Sequence, residues 1–253
     1  MGRKRQLTGL TKKDGFLRHP FDITHHVQTS GLVLGQHLAT GLPNDKHTTA
    51  YYGIAPSVLE ELCAIWRGSG LGGGLVAPPE DYSFLDIGVG MGRGLLIASR
   101  MRFREVTGIE LHPDLCEIAQ ENIHTWESAG HARCPMKIVC QDATEFQFPH
   151  NPSVAYLFNP FRAPVLKALL RQMEKQFANR PNQLDLLYAN DECIEVLEAN
   201  PRWRQLWRGQ IPLSPADEEA DKTILNHQPN GEYAWSTEEP CSIWRFTGGR
   251  MGL

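Results

Sequence analysis

At 253 residues the chain has room for one large α/β domain or two small ones. A hydrophobic fraction of 41% and a charged fraction of 21% are those of an ordinary globular protein, and a net charge of −4 supplies no global attraction to nucleic acid or anionic membrane. No stretch approaches the ~18 consecutive apolar residues of a membrane span, and no apolar leader follows the basic start (Arg3, Lys4, Arg5, Lys12, Lys13), so a cytoplasmic protein is expected.

Residues 1–20 are basic and unpatterned, which reads as a mobile, solvated tail. Gln6 stands where a myristoylation signal has Ser or Thr. Residues 21–55 are rich in Gly, Thr, His and Asn; residues 1–50 read as an extension or cap ahead of a main domain at 51–253. Pro56-Ser57 opens a helix with Val58, Leu59, Leu62, Ile65 and Trp66 on one face, and the glycines of Gly68–Gly74 end it in a flexible connector.

Strands and helices then alternate. Strands are predicted at Tyr82–Asp86, Glu105–Glu110, Met136–Cys140, Ser153–Phe158 and Leu184–Tyr188. Helices are predicted at Gly92–Arg100, from Pro113 onward, and at Pro164–Phe177. Such alternation predicts a doubly wound, mostly parallel sheet with right-handed crossovers. Pro212–Gly231 is polar and acidic and reads as a surface excursion. Glu232–Ser236 and Ser242–Phe246 read as a closing hairpin that adds an antiparallel last strand.

The most informative stretch is Asp86-Ile87-Gly88-Val89-Gly90-Met91-Gly92, at the end of the first strand of this core. A dinucleotide fingerprint needs G-x-G-x-x-G. Counted from Gly88 the third position is Arg93, and counted from Gly90 it is Leu95, so the fingerprint fails in both registers. Asp86 would repel a pyrophosphate and attract an amine, which favours a ligand with a cationic amino-acid tail. At the second strand tip, Glu110 can accept ribose hydroxyls or cap the following helix. At the third, Asp142 can meet an adenine amino group, with the Ala143 amide on a ring nitrogen, or cap a turn.

At these spacings the glycine loop, Glu110 and Asp142-Ala143 resemble the class I S-adenosylmethionine-dependent methyltransferases, a Rossmann-like, seven-strand family. The resemblance spans about residues 50–250 and is concentrated in 82–161. Thr29-Ser30-Gly31, Ala50-Tyr51-Tyr52-Gly53 with Pro56-Ser57, and Leu157–Phe161 are similar to uncharacterised bacterial members. The resemblance implies S-adenosylmethionine as cofactor, with Asp86, Gly88, Gly90 and Gly92 along the methionine part, Glu110 and Leu111 at ribose, and Asp142 and Ala143 at adenine. Asn159-Pro160-Phe161 resembles the (Asn/Asp)-Pro-Pro-(Tyr/Phe) motif of amino-group methyltransferases with one proline missing. On that likeness Asn159 and Phe161 face the acceptor, Asn159 also borders the cofactor, and a nitrogen acceptor on a small molecule or protein is favoured. The other reading of this tripeptide is a turn that starts the Pro164 helix. Tyr51 can bond the cofactor or pack under the glycine loop. A cofactor-binding sensor or partner subunit without catalysis is the alternative function; a nicotinamide oxidoreductase and an aminopropyltransferase fit the residues less well.

His25, His26, His37 and His47 read as loop histidines. Trp203, Trp207, Trp235 and Trp244, with Arg202, Arg204 and Arg208, could stack on nucleic acid but are better explained as sheet or core residues. The cysteines lack CxxC spacing, which gives no metal site, and Cys63, Cys116 and Cys140 read as buried thiols. The methyl acceptor and the oligomeric state have no signature in the sequence.

Overall fold

The computed structural model describes residues 18–35, 38, 40–41, 44–68, 74–226 and 234–249. The basic tail before residue 18, the middle of the glycine connector (69–73), His37, and the stretch 227–233 with the start of the expected 232–236 strand lie outside the described residues.

Seven strands form one sheet: β1 Ser83–Ile87, β2 Glu105–Glu110, β3 Met136–Cys140, β4 Ser153–Phe158, β5 Leu184–Ala189, β6 Trp203–Pro212 and β7 Glu238–Phe246, in the order β3-β2-β1-β4-β5-β7-β6. The pairs among β1 to β5 are parallel, and β7 runs antiparallel between β5 and β6. The helices are α1 Pro20–His25, α2 Pro56–Arg67, α3 Arg93–Ser99, α4 Pro113–Ser128, α5 Ala163–Gln176, α6 Glu195–Glu198 and α7 Pro215–Asn226.

The central strands are apolar throughout because both faces are covered. Phe84, Val106, Val154, Tyr156 and Ile243 pack with α2 and α3 on one face, and Leu85, Ile109, Leu157 and Leu186 pack with α5 on the other. The two-residue alternation along each strand divides these sets. A buried ion pair ties β7 to β5: Arg245 Nε and Nη2 donate to Asp185 Oδ1 and Oδ2 at 2.7 and 2.8 Å. Trp66 Nε1 of α2 donates to the same Asp185 Oδ2 at 2.8 Å, which fixes α2 over the junction.

Three expectations change. The partner of β7 is Trp203–Pro212, and residues 234–236 are not in a strand. The core reading of Trp203 and Trp244 holds: both are buried behind α5, with Trp203 Nε1 on Glu174 at 3.0 Å. The excursion after Pro212 contains a two-sided anchor: Asp217 of α7 accepts from the Ser57 amide at 2.9 Å and so caps the start of α2, while the Ser214 amide donates to Ser57 Oγ at 2.9 Å. Cys140 is exposed, because β3 is an edge strand. No helix among the described residues is long and apolar enough to cross a membrane.

Candidate active site

In an open parallel sheet the ligand edge is the one where the strands end. Here Asp86 on β1, Glu110 on β2 and Asp142 just after β3 line one cavity of about 100 Å³ at that edge. Gly88, Gly90, Leu111, Ala143, Tyr51 and Phe161 line it too. Gly92 does not: it faces Ala119 of α4 and opens α3 with a φ of 96°. Asn159 lies outside this cavity and lines a second one of about 1170 Å³, at the ends of β4 and β5 and the start of β7. Thr48, Thr49, Ala50, Tyr52 and Phe158 line both cavities, so the segment 48–52 is the partition between them.

The carboxylates are already committed in part. Glu110 Oε2 accepts from the Gly90 amide at 2.9 Å, and Oε1 accepts from Leu111 and His112 at 2.8 and 2.9 Å. A carboxylate has about four lone-pair positions, so one remains, on Oε2. One ribose hydroxyl fits there; a second would have to displace an amide. Asp142 shows the same pattern. Its Oδ1 takes the Thr144 amide and hydroxyl at 2.8 and 2.7 Å, which makes it a turn cap, and its Oδ2 takes Asn44 Nδ2 at 2.6 Å. One position on Oδ2 is left for a ligand amine. Burial pushes Glu110 upward in pKa, against the pull of its three amides.

Asp86 is pushed up to about 8, first by burial and then by Glu110; a backbone hydrogen bond from Leu95 pulls the other way. A cation placed beside it would restore its charge. The glycine loop next to it is glycine for two reasons. Gly88 and Gly90 have φ of 75° and 55°, and a Cβ on them would lie 2.4 Å from Pro160 Cβ and 2.2 Å from Tyr51 Cε2. Tyr51 therefore packs on the loop and lines the cavity at once, while its hydroxyl donates to the Thr29 carbonyl at 2.6 Å.

The tripeptide after β4 has a left-handed Asn159, φ 39°, which Asn tolerates better than most residues. Two of its backbone oxygens are tied to residue 49: Thr49 Oγ1 donates to the Asn159 carbonyl at 2.6 Å, and the Thr49 amide donates to the Pro160 carbonyl at 3.3 Å.

Arg93, noted in the sequence only for breaking the fingerprint, is 2% exposed. Its Nε donates to Thr29 Oγ1 at 2.8 Å, and its guanidinium nitrogens donate to the carbonyls of Gly53, Ile54 and Thr29 at 2.9 to 3.2 Å. It thereby bolts residues 29–54 to the start of α3. One signal was available: a cation in the first turn of a helix opposes the dipole, so it needs strong partners elsewhere. None of the described histidines lines either cavity, and among the described residues no cluster of His, Cys, Asp and Glu could hold a metal ion.

Residues 84–199, which run from β1 through α6, match the model of a family described as a methyltransferase domain. Over that stretch, a little under half of its length, the chain is similar to a methyltransferase domain. Its sheet order, with the antiparallel β7 inserted beside β6, is that of the Rossmann-like methyltransferase fold. No curated protein is significantly similar in sequence. Among solved structures, the cyclase SpnF is similar at 16% identity and a TM-score of 0.50, over 77% of this chain and 82% of that one. A methyltransferase from Methanosarcina mazei is similar at 13% and 0.48, over 66% and 93%. An RNA methyltransferase from Salinibacter ruber, solved with S-adenosyl-L-homocysteine, is similar at 15% and 0.45, over 76% and 92%. Likeness at this level shows a shared fold, and a fold that also serves a cyclase does not fix an acceptor.

Proposed function

We propose that the chain is an S-adenosylmethionine-dependent methyltransferase acting on a nitrogen acceptor. The observation that carries this reading is the set of three strand-tip carboxylates, Asp86, Glu110 and Asp142, on one cavity that shares a partition with a second. S-adenosylmethionine is the cofactor of the class, and its groups match what the cavity leaves open. Asp86 is a buried acid with no cation paired to it among the described residues, suited to the ligand ammonium; Glu110 and Asp142 each keep one acceptor position, for a ribose hydroxyl and an adenine amine. When bound, the cofactor supplies an electrophilic methyl group on sulfur. The protein's part is to orient the acceptor and exclude water, since methyl transfer is an in-line displacement that needs no strong base. Asn159 would meet the acceptor from the second cavity, across the partition formed by residues 48–52.

The test is calorimetry with S-adenosylhomocysteine. Glu110→Ala should weaken binding at least about tenfold (~1.4 kcal/mol). Asn159→Ala should leave that affinity within about threefold while abolishing transfer. Unchanged affinity in Glu110→Ala removes the ribose assignment, and an equal loss in both variants removes the division of roles.

A further inference from the structure

The second cavity is the place where the acceptor's chemistry should be legible. Five carboxylate side chains line it (Asp45, Glu192, Asp221, Glu238, Glu239) against two cations, Lys46 and Arg162, both exposed. The acids on the α7–β7 side are the more confined. Asp221 of α7 is 8% exposed; Oδ1 accepts from the Tyr52 hydroxyl at 2.7 Å, and among the described residues Oδ2 has no hydrogen-bond partner. Glu239 of β7 is half-buried, makes no ion pair among the described residues, and interacts electrostatically with Asp221, Glu192 and Asp191, all of them acids. Burial and these neighbours push it up to about 7. An acid held among acids is a poor arrangement without a ligand and a favourable one around a cation.

A separate observation stands at the β4 tip. Asn159 is 8% exposed and lines the cavity, and its side-chain amide has no hydrogen-bond partner among the described residues. Its amide atoms are not sealed from the cavity, so a ligand nitrogen there can pair with them. The two features suit different nitrogens. A nucleophilic amine must be neutral when it attacks, and a carboxylate beside it would hold its proton in place. Asn159, uncharged, suits the reacting nitrogen; Asp221 and Glu239 suit an ammonium that does not react. The lining of the same cavity also includes Ala55, Leu213 and Leu225, apolar surface that suits a methylene chain.

We infer that the second cavity takes a small linear polyamine, with one nitrogen at Asn159 and a second, protonated nitrogen held by Asp221 and Glu239. This rests on the methyltransferase reading above and names its acceptor class. In the transfer the lone pair of the neutral nitrogen forms the N–C bond as the C–S bond breaks. The bonding pair stays on sulfur, the sulfonium becomes a thioether, and the methylated amine releases its proton to water.

The probe is spermidine, titrated calorimetrically into the full chain saturated with S-adenosylhomocysteine, with butylamine and 1,4-butanediol as single-charge and uncharged controls. Spermidine should bind at least tenfold more tightly than butylamine, and butanediol should not bind. Glu239→Gln and Asp221→Asn, which keep shape and remove charge, should each weaken spermidine at least tenfold. Each should leave S-adenosylhomocysteine affinity unchanged and should not lower the thermal midpoint, since removing one charge relieves the crowding of acids. Incubation with S-adenosylmethionine should yield a spermidine product heavier by one methylene, read by mass spectrometry. Spermidine affinity insensitive to both substitutions, or no spermidine binding while S-adenosylhomocysteine binds, overturns the inference. Binding of a lysine-rich peptide in place of spermidine overturns it in favour of a protein acceptor. Failure of the wild type to bind S-adenosylhomocysteine is a different result and strikes the methyltransferase reading itself.

Discussion

Asp86 should make cofactor binding a proton-linked event. Its pKa in the folded chain, about 8, lies far above the ~3.9 of an unfolded Asp. Between those values the free folded protein binds a proton that an ionised Asp86 in a complex would not. At pH 7 the protonated form therefore predominates, so binding a ligand ammonium should release close to one proton. Ionising the carboxyl at that pH costs on the order of 1 kcal/mol, roughly tenfold in affinity. The sign follows: the complex holds fewer protons than the free protein, so affinity rises with pH, by up to about tenfold per unit between 6 and 7. The rise should flatten as the ligand's own amine, with a pKa near ~8, begins to lose its charge. S-adenosylhomocysteine titrated in phosphate and in Tris, whose ionisation enthalpies differ, gives the proton count directly. Asp86→Asn should bind more weakly at pH 7.5, release about no proton and show a flat pH profile over this range. Equal proton release in wild type and Asp86→Asn would show that another group, Glu110 foremost, carries the linkage, and the reasoning about Asp86 would be refuted.

Two further outcomes follow from the packing around the loop. Arg93→Met should destabilise the chain by about 3–5 kcal/mol, because it leaves Asp22 and the carbonyls of Thr29, Gly53 and Ile54 buried beside an apolar chain; a loss below about 1 kcal/mol in urea denaturation would show that the network is dispensable. Gly90→Ala adds a methyl group that meets the Tyr51 ring, at a backbone conformation L residues avoid; it should weaken S-adenosylhomocysteine at least tenfold, and Gly90→Ala combined with Tyr51→Ala should recover part of that loss if the clash is the cause.

The sheet was legible where burial was two-sided. β2 and β4 were predicted to the residue, because an apolar run bounded by turn residues has few other readings; β3, an edge strand half-buried or exposed along its length, was also read to the residue. β6 was missed for the opposite reason. Trp203-Arg204-Gln205-Leu206-Trp207-Arg208 lies on a sheet edge, mostly exposed or half-buried, with a register shift between Gln205 and Trp207, so its alternation is broken just where it would be read. α7 was hidden because its acids looked like a solvated face. Asp217 and Asp221 are in fact buried, one capping α2 and the other on the Tyr52 hydroxyl. Burial of a carboxylate has no local sequence signature; it depends on which donor arrives from elsewhere in the chain.

The same distinction separates the two cavities. The first is built on consecutive strand tips of one alternating unit, so spacing alone brings Asp86, Glu110 and Asp142 together. The second draws its walls from segments around Thr48, Asn159, Asn190, Asp221 and Glu239, which no periodicity relates. What joins them is a set of long-range bonds: Thr49 to Asn159, Tyr52 to Asp221, and Ser57 to both Ser214 and Asp217. Residues 48–57 take part in every one. The segment before the first core strand is thus the element that assembles the second cavity, and Arg93 fixes its neighbouring carbonyls at Gly53 and Ile54 to the start of α3. The two cavities are thereby held against each other by one short stretch of chain. A change in that stretch should alter acceptor binding and cofactor binding together, whereas changes at Glu239 or Glu110 should separate them.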